Sequence, residues 1–130
     1  MRGQTPMADI LVVDDDPVSL GIVSKILEKE GNTVTGCTDA RAAIESLTFH
    51  EFDLLVTDLI MPDHDGFEVI QAAKSLRPDL RIIVLSGIDE RVPPELTMQA
   101  LSKLGVARMV RKPIKPAVLA SEVLAVLIGG

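Results

Sequence analysis

Phe52-Asp53-Leu54-Leu55-Val56-Thr57-Asp58-Leu59-Ile60-Met61-Pro62 joins a short apolar run to a single carboxylate. The run at 54–56 is bounded by polar residues, which suits a strand buried on both faces of a parallel sheet. Asp58 follows it directly. Met61-Pro62 and then Asp65-Gly66 read as a loop that ends the strand and turns toward a helix. Open α/β sheets place ligands and chemistry at the C-terminal ends of such strands. The rest of the chain can be read for what it brings to Asp58.

Upstream, residues 9–13 form a β-branched apolar run that stops at Asp14-Asp15-Asp16-Pro17. Asp16 suits a helix N-cap and Pro17 the first helical position. Ile22, Val23, Ile26 and Leu27 recur at helical spacing, and Gly31 closes that helix. A weaker strand at 33–37 precedes a helix capped by Thr38 or Asp39 and running through Leu47, with Ala43, Ile44 and Leu47 inward. The central strand is expected at 53–57.

Downstream, a helix over 66–76 buries Phe67, Val69, Ile70 and Ala73, and Arg77-Pro78-Asp79 makes a turn. A strand at 81–85 ends in Ser86-Gly87. A helix starts at Pro93-Pro94 and reaches about Leu104, with Gly105 as its cap. A short strand at 107–110 ends in Arg111-Lys112-Pro113, and the last helix covers 116–127. Five strands alternating with five helices predict a doubly wound, five-stranded parallel α/β sheet of flavodoxin-like order 2-1-3-4-5, because parallel strands need right-handed helical crossovers. One domain over 9–128 is expected, after a flexible lead-in at 1–8 and with no output domain within the chain.

Composition narrows the function. The 130 residues include 19 acidic and 13 basic side chains, a net charge of −6. Direct nucleic-acid binding, which needs a basic face, is not expected. There is no Trp or Tyr for stacking on bases. No apolar run is long enough to span a membrane. The single Cys37 cannot pair within the chain and reads as a small packed strand residue in a reducing, cytoplasmic setting. His50 and His64 read as surface residues.

Four chemical features fall at C-terminal strand ends: Asp14 with Asp15, Asp58, Ser86 and Lys112. In a doubly wound sheet these ends share one edge. Clustered carboxylates make a hard oxygen site suited to Mg2+. An ionised Asp there can attack phosphorus, Lys112 can neutralise phosphoryl oxygens, and the Ser86 hydroxyl can donate a hydrogen bond. Taken singly, each feature has a plainer reading: a cap, a turn, a surface charge. Their joint placement carries the inference.

These residues resemble the receiver domain of two-component response regulators, the CheY-like fold. The matching segments are residues 10–17, residues 53–62 with Asp65-Gly66, residues 82–87, and Arg111-Lys112-Pro113, and the likeness spans about 9–127. The resemblance implies that Asp58 is the phospho-acceptor. It implies that Asp14 and Asp15, with the backbone carbonyl of Ile60, hold Mg2+, that Ser86 is the switch hydroxyl, and that Lys112 binds phosphate. The donor would be a phosphohistidine on a sensor histidine kinase or histidine phosphotransfer protein. Phosphorylation would draw Ser86 and its loop toward Asp58 and shift the surface formed by the fourth helix, fifth strand and last helix. A monomer or weak homodimer is expected, with no enzymatic activity beyond its own phosphorylation and dephosphorylation.

Three positions depart from the family pattern. Met109 stands where the family often has an aromatic read-out residue. Ile60 and Ile88 occupy positions that flank the phosphoryl group and tune its hydrolysis. Two apolar residues there position water poorly, so a long-lived phosphoryl group is expected, shortened by combining Ile60→Asn with Ile88→Glu. The connection from Gly87 to Pro94 is longer than usual. The main competing reading is a haloacid-dehalogenase-like phosphatase using Asp14, but it leaves Asp58 idle and offers only Glu122 as a late acid. A receiver-fold interaction module that works without phosphorylation would not need the full polar set. A flavodoxin-like cofactor carrier would need a phosphate-cradling loop in place of three acids.

Overall fold

The computed structural model describes residues 8–59, 66–87 and 94–129. Its strands are β1 (Asp9–Val13), β2 (Thr33–Cys37), β3 (Leu54–Asp58), β4 (Arg81–Ser86) and β5 (Arg108–Arg111). Its helices are α1 (Pro17–Lys29), α2 (Ala40–Phe49), α3 (Gly66–Leu76), α4 (Pro94–Lys103) and α5 (Pro116–Gly129). All pairings are parallel, in the order β2-β1-β3-β4-β5. This is the doubly wound sheet expected from the alternation of elements.

Strand side chains point alternately to opposite faces, and the core divides accordingly. Leu11, Val13, Leu55, Ile82 and Val84 pack with Ala43 and Leu47 of α2, Val69, Ile70 and Ala73 of α3, and Leu101 of α4. Ile10, Val12, Leu54, Val56, Ile83 and Leu85 pack with Val23 and Leu27 of α1 and Leu119, Val123 and Val126 of α5. Because both faces of β3 are covered, every residue of that strand is buried. The edge strand β2 is mostly exposed, which is why its sequence pattern is weak.

Local signals set the ends of the first two helices. The Asp16 side chain accepts a hydrogen bond from the Val18 amide, with Pro17 in the first turn. Asp39 caps α2 by accepting from the Ala42 amide at 2.7 Å. Gly31 takes φ +92° just past α1, a conformation that favours glycine.

Some expectations shift. Ile22 is 51% exposed, so the inward set of α1 is Val23 and Leu27, with Leu20 and Ile26 beside them. On α2, Ala40 is buried with Ala43 and Leu47, whereas Ile44 is only partly covered. Asp58 and Ser86 are the last residues of their strands, one place earlier relative to the strand ends than expected. Ala8, counted with the lead-in, is buried, and its amide donates to Asn32 Oδ1.

Candidate phosphoryl-acceptor site

The site grows from the ends of three strands. β1 lies between β2 and β3, so Asp14 emerges at the middle of the sheet edge, and its amide donates to the Cys37 carbonyl at 3.1 Å. Asp14 is fully buried; its Oδ1 accepts from the Asp16 amide at 3.0 Å. Asp15 is half-buried beside it. Asp58, 7% exposed, ends β3 next door. The Leu59 amide after it is tied to the Leu85 carbonyl at 3.1 Å, which holds the strand end against β4. Asp14, Asp15 and Asp58 each offer a carboxylate oxygen, all within 4.8 Å of one another.

Lys112 enters from the end of β5. Its Nζ lies 3.1 Å from Asp58 Oδ2 and 3.4 Å from Asp14 Oδ2. Its own amide donates to the Ser86 carbonyl at 2.8 Å, so the β4 and β5 ends are linked. Burial acts to lower the Lys112 pKa, but the hydrogen bond and charge of Asp58, followed by those of Asp14, outweigh it and hold the ammonium above its ordinary value. Lys112 thus bridges two members of a cluster of three carboxylates.

Ser86 stands at the end of β4, one residue beyond Leu85, which pairs with Asp58. Its hydroxyl donates to the Gly87 carbonyl at 3.1 Å. Asp14, Asp15, Asp58 and Lys112 are therefore drawn together, and Ser86 stands beside them with its hydroxyl turned to its own loop. Ile60 and Ile88 lie outside the described residues, as does most of the long connection after Gly87. Met109 is half-buried on β5 and packs against the core. Cys37 is buried 3.8 Å from Ser46 Oγ; burial raises its thiol pKa, the Ser46 hydrogen bond opposes that, and the Asp39 charge adds to it, as befits a packing residue.

One contributor reads in the sequence only as part of a turn. Gly66 opens α3 directly against the backbone of the β3 end, and its amide donates to the Leu59 carbonyl at 2.9 Å. A β-carbon at 66 would lie 2.5 Å from the Leu59 oxygen and would collide with the Asp58 carbonyl oxygen. The signal in the sequence was a glycine at the point where the loop after Asp58 becomes a helix.

The family described as "Response regulator receiver domain" matches residues 10–124. The chain belongs to this family. The receiver is similar to the response regulator receiver protein CpdR of Brucella abortus (strain 2308), with 38% identity over 81 residues, 62% of this chain and 68% of that protein. It is 38% identical over 80 residues to the DNA-binding transcriptional regulator NtrC of Azospirillum brasilense, where the match spans 62% of this chain but only 17% of the relative. Among solved structures, the chemotaxis response regulator CheY4 of Vibrio cholerae superposes with a TM-score of 0.83 at 29% identity, covering 94% of this chain and all of that one. The receiver thus has the phospho-accepting function of two-component signalling, and its family works with histidine kinases or phosphotransfer proteins.

Proposed function

We propose that Asp58 is the phospho-acceptor, that Asp14 and Asp15 share with it a Mg2+ site, and that Lys112 and Ser86 receive the phosphoryl oxygens. The observation that carries this reading is the Lys112 ammonium bridging Asp14 and Asp58, residues 98 and 54 positions away from it, at the edge of the carboxylate cluster. The donor set fits a hard divalent cation, since every side-chain ligand is a carboxylate oxygen. Such an ion, when bound, neutralises the oxygens of an incoming phosphoryl group.

The chain's own residues do the rest. A carboxylate oxygen of Asp58 attacks phosphorus, and the P–N bond of the donor phosphohistidine breaks. Its electron pair stays on the imidazole nitrogen, and Asp58 becomes an acyl phosphate. Asp58 then has less negative charge on its carboxyl oxygens, so the Lys112 ammonium passes from Oδ2 to a phosphoryl oxygen. Ser86 exchanges its bond to the Gly87 carbonyl for one to the phosphoryl group, and that exchange moves the loop after β4. Slow hydrolysis, from Ile60 and Ile88, is part of the same proposal. The phosphatase reading gains nothing: Glu122, its late acid, pairs with Arg108 at 3.6 Å.

The test is intact mass after incubation with Mg2+ and acetyl phosphate. One added phosphoryl group is expected, and none in Asp58→Asn or without metal. An adduct that persists in Asp58→Asn, or continuous release of phosphate, would transfer the chemistry to Asp14.

A further inference from the structure

Thr57, the residue before Asp58, is fully buried yet carries a hydroxyl. It stands in register with Val13 of β1 on one side and Val84 of β4 on the other, both fully buried. Neighbours in register share a face of the sheet, and this face packs beneath α2 and α3. A valine, nearly the same shape, would complete the row with no polar atom to satisfy. A buried hydroxyl is costly unless it is hydrogen-bonded. Thr57 finds its partner in the next residue: its Oγ1 donates to the Asp58 carbonyl at 3.0 Å. The Leu59 amide that follows donates to the Leu85 carbonyl at 3.1 Å. The peptide unit leaving Asp58 is therefore held at both of its polar groups, the carbonyl by Thr57 and the amide by β4.

We infer that Thr57 is a positioning residue for the acceptor. Its hydroxyl fixes the peptide that leaves Asp58 and, through it, the direction from which the Asp58 carboxylate meets Asp14, Asp15 and Lys112. The inference rests on the reading of Asp58 as phospho-acceptor and deepens it. A planar peptide carries its carbonyl, its amide and both flanking Cα atoms together. Releasing the carbonyl therefore lets the Asp58 Cα tilt, and its carboxylate swings with it. Attack on phosphorus needs that oxygen aligned, and a displacement of about 1 Å costs on the order of 100-fold in rate. Thr57 acts only through the main chain of Asp58, since its hydroxyl is engaged by the carbonyl. A hydroxyl that served packing alone would affect stability and leave the chemistry of the folded protein unchanged.

The experiment compares full-length wild type, Thr57→Val and Thr57→Ser. Urea unfolding first fixes a temperature at which all three are fully folded. The initial rate of adduct formation is then read by intact mass at saturating Mg2+ across a series of acetyl phosphate concentrations. Thr57→Val should be roughly tenfold slower at saturation, a partial misplacement of the acceptor, with the half-saturating concentration little changed. Thr57→Ser keeps the hydroxyl but removes a methyl from a close-packed row, so it should unfold at lower urea than wild type. Its rate should nonetheless stay within about threefold of wild type, because the bond to the carbonyl is retained. Thr57→Val reacting at the wild-type rate would overturn the inference. Slowing in Thr57→Ser as large as in Thr57→Val would make the residue a packing element and overturn it as well. Wild type without an adduct would reject the phospho-acceptor reading and this inference with it; a wild-type adduct that forms as fast in Thr57→Val would reject this inference alone.

Discussion

A β-carbon added to Gly66 would meet carbonyl oxygens of Asp58 and Leu59, which are backbone atoms and cannot swing aside. Gly66→Ala should therefore lower stability by about 1–3 kcal/mol through overpacking and slow phosphorylation, because the displaced backbone carries Asp58, the proposed acceptor. Gly21, in α1, has nothing within 4 Å of the same added atom, and Gly21→Ala should raise stability by roughly 0.5–1 kcal/mol. Urea unfolding of the two variants checks both signs. Lys112 makes a second residue-level prediction. Its pKa is raised in the folded protein, so its stabilising effect is complete below the ordinary value of 10.5 and is lost as pH rises through the folded value. In metal-free buffer, wild type should exceed Lys112→Met in stability by a constant margin at neutral pH and up to about pH 10. That margin should shrink only above it, which unfolding at a series of pH values would show. A margin that fell between pH 6 and 9 would contradict the assignment.

At the scale of elements, the last helix is held at its end by a residue far away in the chain. Arg81, at the start of β4, donates from Nη1 to the carbonyls of Val126 and Leu127 of α5. These are among the carbonyls a helix leaves without internal partners. Arg81→Ala should cost about 1.5–3 kcal/mol, the range for hydrogen bonds to charged groups. Hydrogen exchange should quicken in the last turn of α5 and not in α1. No sequence pattern announces this contact, since the partners are 45 and 46 residues apart. What the sequence did display was local: Asp16-Pro17 before α1, Asp39 before α2, Gly31 after α1, and the unbroken apolar runs of the central strands. The facing of α1 was legible only in part. Ile22 and Val23 are adjacent and equally apolar, and the choice between them depends on how the helix lies on the sheet. Leu20 lies against Gly36 of β2, while Ile22 faces outward. At the site, Asp14, Asp15, Asp58 and Lys112 could be found because strand ends in a parallel sheet share an edge. The hydroxyl direction of Ser86 and the close approach of Gly66 depend on three-dimensional contacts that composition does not encode.

For the whole molecule, a cation held by the carboxylate cluster would link metal occupancy to folding. A cation bound by Asp14, Asp15 and Asp58 in the folded state has no such site in the unfolded chain, so Mg2+ should raise stability with its concentration. At ten times the dissociation constant the gain is about 1.4 kcal/mol. Thermal unfolding across a Mg2+ series should show a rising midpoint for wild type and a flat one for Asp14→Asn. The fold that makes this linkage possible also separates its parts widely along the chain: Asp14 and Lys112 meet across 98 positions, and Asp58 meets Lys112 across 54. During synthesis, a nascent chain has Asp58, the proposed acceptor, long before it has the lysine that contacts it. A product of premature termination would expose Asp58 with no cation beside it and with β4 lacking its outer neighbour. On the proposed roles of Asp58 and Lys112, the complete site would come together only once nearly the whole of this sequence had been made.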